Sequence, residues 1–181
     1  TRYVVIDIAT SGPRAAEDAL LGIAAVGLRK GAIVPDDAFA LDLDNEEADE
    51  VDDAAVDRRL MAFLTYAAKA PLVTYHGPFV SGFLTRAFKE RLGVDFQPQW
   101  IDLAWLLPSL FNEKSEVTVP LDDWLETFGI AGNERRDTMA NTLMLARLFQ
   151  MLLVRATARD LTTAGKLVEE SQAATFLRRS H

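Results

Sequence analysis

A β-branched run, Tyr3-Val4-Val5-Ile6, leads directly into a carboxylate, Asp7, and ends shortly afterwards at the turn-forming Ser11-Gly12-Pro13. Such a run reads as a core strand stopped by a turn. A carboxylate inside a core strand is costly unless it meets a metal, a cation or several hydrogen bonds. The plainer alternative is a turn cap, in which the side-chain oxygen binds backbone a little further along. Any fold for this chain has to place Asp7 at the mouth of a buried strand.

A second segment narrows the choice. Leu72-Val73-Thr74-Tyr75 is apolar and strand-like, His76-Gly77-Pro78 is a turn, and Phe79 to Arg91 continues as a helix through Phe83, Leu84 and Phe88. A third segment, Arg136-Asp137-Thr138-Met139-Ala140-Asn141, follows the turn at Gly129-Ile130 and opens a long apolar helix. Between them lie Ile101-Asp102-Leu103-Ala104 and Leu121-Asp122-Asp123-Trp124-Leu125.

In order and spacing these segments resemble the motifs of the DEDD-type (DnaQ-like) 3′-to-5′ exonuclease superfamily, over about residues 2 to 154. The resemblance implies an α/β, ribonuclease H-like fold, with a mixed five-stranded sheet in the order 3-2-1-4-5 flanked by helices. It also implies two divalent ions, magnesium or manganese, about 3.5 to 4 Å apart on four carboxylates. Aligned with the family motifs, Asp7 matches the first metal-binding carboxylate, but Ala9 stands where a Glu belongs. Val80 stands at the second-motif Asp, Arg136 at the general-base His and Asn141 at the last Asp.

Hard divalent cations require oxygen ligands, and one carboxylate rarely holds two of them. Arginine stays protonated at physiological pH, so Arg136 cannot act as a base. Its charge either neutralises Asp7 in place of the lost cations or points to solvent. Asp137 shares a helix face with Asn141 and is a substitute ligand or, more simply, a helix cap. His76 is either a shifted ligand or base or a hydrogen-bonded turn residue. Glu17 and Asp18 read as solvated loop charge.

The resulting expectation is a vestigial site at Asp7, Ala9, Val80, Arg136 and Asn141, with no cofactor, and with Asp7 the metal contact if there is one. The chain reads as an exonuclease-like pseudoenzyme acting as a binding or scaffolding module. One alternative is an active exonuclease on DNA or RNA that uses magnesium or manganese through unusual ligands such as Asp7, Asp137 and His76. Another is a nucleotide- or phosphate-binding protein that holds its ligand through Arg136 and Thr10 without hydrolysis.

Charge distribution bears on partners. The net charge is -8, but nine of the acids fall between Asp42 and Asp57, where there is no Lys or Arg, and the remainder carries +1. The acidic stretch reads as a solvated loop entering a helix, or as a nucleic-acid mimic or docking tail for a basic partner. Neither supplies the broad basic face of a strong phosphate binder, so nucleic acid or nucleotide is a weak expectation, with a protein partner or homodimer as the other. There are no cysteines, hence no disulfides or thiolate metal sites. No long apolar run or basic-apolar leader is present, and Thr1 in place of an initiator Met suggests a processed start; the expectation is a cytoplasmic protein without membrane contact.

The finer layout expected is strands at 2 to 8, 20 to 29 and 32 to 42, a helix at 53 to 69, a strand at 71 to 75 and a helix at 79 to 92. A strand at 98 to 103 and helices at 103 to 111, 120 to 128 and 137 to 157 follow, closing an exonuclease-like domain of residues 1–157 with a helical extension at 158–181. Leu143 to Val154 is apolar apart from Arg147 and Gln150 and reads as a central helix. It is covered by its own domain, by the segment 160 to 180 or by a second subunit. That C-terminal segment is expected to fold back on the domain, and Phe79, Trp100, Trp105 and Trp124 are expected to pack in the core.

Overall fold

The computed structural model describes residues 1–43, 53–111, 120–130 and 137–179. Three long strands come first: β1 (Arg2–Thr10), β2 (Leu20–Arg29) and β3 (Ala32–Asp42). They form an antiparallel meander, with Asp7 opposite Ala24 and Ala9 opposite Gly22. The β2–β3 turn consists of Lys30 and Gly31, both with positive φ (54° and 77°), the geometry that matches the right-handed twist of a tight hairpin.

The chain then alternates as α1 (Asp53–Ala67), β4 (Leu72–Thr74), α2 (Gly77–Leu92) and β5 (Trp100–Asp102). β4 pairs parallel to β1 and β5 parallel to β4, completing a five-stranded sheet in the order β3-β2-β1-β4-β5. This is the expected order. α3 (Leu103–Phe111), α4 (Leu121–Thr127), α5 (Thr138–Ala158) and α6 (Ala164–Arg179) follow. Among the described residues no helix is long and apolar enough to cross a membrane.

Strand alternation divides the core into two layers. Val4, Ile6 and Ile8 pack with Leu60, Phe63, Val80, Phe83 and Phe88 from α1 and α2. Tyr3 and Val5 face the other way, into a cluster built from α3, α4, α5 and α6. By the same period of two, Asp7 and Ala9 share the face that looks toward α5. Arg2 secures the start of β1: its guanidinium binds both carboxylate oxygens of Asp37 at 2.8 Å and donates to the Tyr66 carbonyl at 2.9 Å, which ties β1 to β3 and to the end of α1.

Several boundaries differ from expectation. β1 runs on to Thr10, while β4 and β5 have three residues each, shorter than the apolar runs that contain them. Parallel pairing ends at Thr74 and Asp102 because the next residues turn into α2 and α3. α2 begins at Gly77 instead of residue 79, since His76 adopts a left-handed conformation (φ 64°) that starts the helix early. α5 is not buried all round: Leu143 is 38 %, Met151 36 % and Val154 76 % exposed. Phe79 is 37 % exposed and meets Phe83 edge-on, so of the four aromatics assigned to the core it is an exception, whereas Trp124 is buried.

The C-terminal segment does fold back on the domain. α6 packs against α3 and β5, with Leu167 and Val168 in the core. β5 is a sheet edge, and its outward Asp102 N–H donates to Ser171 Oγ of α6 at 2.8 Å. A strand edge that would otherwise offer free amides is thereby covered by a helix.

Candidate functional site

β1 carries Asp7 and Ala9 out of the core toward the first turn of α5. That turn is held by Asp137, the N-cap, whose Oδ1 accepts from Ala140 N–H at 2.7 Å. Such a cap satisfies an amide that the helix cannot pair internally. One residue beyond Asn141, buried Thr142 donates from Oγ1 to Thr138 O at 2.7 Å and lies 3.3 Å from Ala24 O, beside the strand position opposite Asp7. α5 thus crosses β1 and β2 with Thr142, the neighbour of Asn141, beside the strand position opposite Asp7.

Asp7 is partly buried, and desolvation pushes its carboxyl up to about 6; a backbone hydrogen bond at Ile8 opposes the shift. Among the described residues it has no ion pair. Val80, in the first turn of α2, is 1 % exposed and belongs to the apolar layer of Ile6, Ile8 and Phe83. Arg136 lies outside the described residues.

The remaining sequence candidates are engaged in local structure. Thr10 Oγ1 donates to Gly12 O at 2.8 Å, closing the turn after β1. The His76 side chain is exposed, with its ring edge-on to Tyr75 at 4.7 Å between centroids; it is the His76 backbone N–H that binds, to Asp102 Oδ1 at 3.0 Å. Asp18 Oδ2 accepts from Arg14 N–H and Glu17 pairs with Arg14. Arg86 of α2 donates to Ala15 O at 2.7 Å and to Asp18 O at 3.0 Å, clasping the β1–β2 loop onto the helix.

Asp102 matters more than its place in the sequence suggested. It is 5 % exposed, and its carboxylate accepts from the N–H groups of His76, Gly77 and Ala104 at 3.0, 2.9 and 3.0 Å. It closes the N-terminus of α2, where a negative charge is favoured, and so fixes the turn that positions Val80. Burial raises its pKa, and the hydrogen bonds from Gly77 and Ala104 work against that rise. A Cβ on Gly77 would come within 3.1 Å of Asp102 Oδ2, a tight contact that the carboxylate would have to ease by a few tenths of an ångström. The available signal was an acid ending one apolar strand and a glycine following the other. Asp102→Asn is expected to lower stability by about 1–2 kcal/mol in urea melts, because an amide replaces an acceptor facing buried donors.

Among the described residues no group of three or more His, Cys, Asp or Glu is arranged to hold a metal ion. Two surface cavities lie away from Asp7. One, of about 350 Å³, is lined by Leu43, Leu60, Phe83 and Arg86; the other, of about 420 Å³, by Pro78, Trp100, Ser171 and Phe176.

No family model matches the sequence, and no curated protein sequence matches it significantly. Solved structures do match the fold. E. coli exonuclease I bound to single-stranded DNA with zinc is 15 % identical with a TM-score of 0.68, over 90 % of this chain and 42 % of that one. An ExoI/SSB-Ct complex gives 15 % and 0.61, over 93 % and 43 %. Cell-death related nuclease 4 gives 13 % and 0.65, over 84 % and 64 %. The chain therefore spans about two fifths of exonuclease I. With the strand order, the two-layer core and the three motif-bearing elements in place, the chain has the ribonuclease H-like fold of the DEDD-type, DnaQ-like 3′-to-5′ exonucleases.

Proposed function

We propose that this chain is an exonuclease-like domain that has kept the fold and lost metal-dependent hydrolysis, and that it serves as a binding or scaffolding module. The observation that carries this reading is the state of the position that should supply the second-motif carboxylate: Val80 is a packed core residue, 1 % exposed. Ala9 has no ligand atom, Asn141 offers only a neutral amide oxygen, and Asp137 is committed to capping α5. A pair of hard divalent ions does not fit a donor set with one carboxylate. Asp7 is the one carboxylate left of the four that the motifs call for.

Nucleic acid is a weak partner on this reading. The fold neighbours include a protein bound to single-stranded DNA and one bound to SSB-Ct, and for this chain a protein partner is favoured by its net charge of -8. The test is a nuclease assay on single-stranded DNA and RNA with manganese, comparing the parent with Asp7→Ala. The expected result is no cleavage above background by either protein. Cleavage by the parent that disappears in Asp7→Ala would overturn the reading in favour of an active exonuclease with unusual ligands.

A further inference from the structure

We propose that the cavity of about 420 Å³ between β5, the first turn of α2 and α6 binds an organic ammonium group, a protonated amine on an apolar stem. Pockets that enclose small molecules have this size, apolar walls and a few polar groups that fix orientation. Here Pro78 of α2, Pro98, Trp100 of β5 and Phe176 of α6 supply the apolar wall. Asp102, at the end of β5, lines the same cavity although it is only 5 % exposed.

The charge of the cavity selects its ligand. Among the lining residues Asp102 carries the charge, and no Lys, Arg or His joins it. An anion is refused twice over. It would face the Asp102 carboxylate, and the helix end beside it has no amide to offer, because Gly77 N–H already binds Asp102 Oδ2 at 2.9 Å and Pro78 has no N–H. A cation is favoured by that carboxylate and by the net charge of -8. Burial raises the Asp102 pKa, so the ionised form gains from a positive charge brought beside it.

Hydrogen-bond capacity narrows the cation. An ionised carboxylate has about four acceptor positions. Asp102 Oδ1 accepts from the N–H groups of His76 and Ala104, and Oδ2 accepts from Gly77 alone. The position left is on Oδ2, beside Gly77, itself a lining residue. A guanidinium fork needs both oxygens, whereas an ammonium needs one. Its other protons meet neutral oxygens at Ser81, Gln172 and Thr175, whose Oγ1 donates to Ser171 O at 2.8 Å and keeps its lone pairs. A divalent metal would find a single carboxylate here, too few ligands to hold it. Trp100 brings the ring type that attracts a cation most strongly.

Free amines and lysine side chains carry the same group, and the test separates them. Phenethylammonium chloride, Nα-acetyl-lysine N-methylamide, neutral 2-phenylethanol and anionic phenylacetate are each titrated into the isotope-labelled chain at neutral pH, and amide shifts are followed by NMR. Phenethylammonium is expected to give saturable shifts at Gly77, Ser81 and Gln172, with a Kd of about 1 mM for so small a ligand. Phenylethanol and phenylacetate are expected to bind at least about tenfold more weakly. Tighter binding of the lysine derivative than of phenethylammonium assigns the cavity to a lysine of a protein partner, and the reverse order to a free amine. Phe176→Ala is expected to weaken binding about threefold or more and, because Phe176 is 72 % exposed, to melt like the parent. Asp102→Asn is expected to bind amine and alcohol equally; if that variant does not fold, the charge series on the parent still decides. Equal binding of phenethylammonium and phenylethanol by the parent, tighter binding of phenylacetate, shifts clustered away from the cavity, or no saturable shift with either amine up to about 20 mM would overturn the proposal. The cavity lies away from Asp7, so this result and that of the nuclease assay are independent.

Discussion

Asp7→Asn is expected to stabilise the protein by about 2–3 kcal/mol at pH 8 and to change little at pH 3.5. The native carboxyl is raised from 3.8 to about 6 by desolvation. A group whose folded pKa exceeds its unfolded pKa binds more protons in the folded state between the two values. Its favourable contribution is therefore complete below about pH 3.8 and is lost as pH rises through about 6. Above that, the native state bears the cost of an ionised, poorly solvated carboxylate. Asparagine is nearly isosteric and uncharged, so it removes the cost and with it the pH dependence. A shift of about two units corresponds to roughly 3 kcal/mol, reduced somewhat because Asp7 is partly open to water. Urea melts of both proteins at several pH values between these limits measure it. Equal stability of parent and variant across the range would mean that a partner already neutralises Asp7.

Val80→Asp is expected to cost about 3–5 kcal/mol at neutral pH, the cost of an uncompensated buried charge. It restores the residue type that the exonuclease motif requires, but Val80 sits at 1 % exposure in an apolar layer with Ile6, Ile8 and Phe83. Near pH 4 the new acid is largely protonated, and the cost falls to that of a buried neutral polar group, about 1–3 kcal/mol. Denaturant melts at the two pH values give both numbers. A loss below about 1 kcal/mol at neutral pH would show that the side chain turns out into a solvated cleft. The site would then be open, and the case for a closed, vestigial centre would fail.

The sheet order was legible in the sequence because apolar framework residues recur in the right order: the β-branched run before Asp7, the strand-turn-helix at Leu72 to Leu84 and the long helix after Gly129. The short parallel strands were overextended, because an apolar run records burial and not pairing; β4 and β5 stop where α2 and α3 take over the backbone. Of the candidate site, motif spacing put Asp7 and Ala9 on one strand, and strand alternation gives them one face, toward α5. His76 was read as a side chain with possible chemistry, whereas it is the His76 backbone, in a left-handed turn, that does the positioning. Asp102 does not stand out in the sequence as a site residue, since only the local Ala104 amide is near it in the chain, and those of His76 and Gly77 reach it through the parallel register of β4 and β5.

The sequence by itself determined which ligand atoms exist: one carboxylate at Asp7, none at Ala9 or Val80, an amide at Asn141. Composition of that kind needs no coordinates, because a methyl or isopropyl group cannot bind a cation in any fold. Only the tertiary structure decided what these residues do instead. Burial of Val80 between α2 and β1, desolvation of Asp7 beneath α5 and the exposure of Leu143, Met151 and Val154 all depend on how α5 and α2 cross the sheet. Solvent access and the electrostatic cost it sets are properties of packing between distant segments, and local pattern does not carry them.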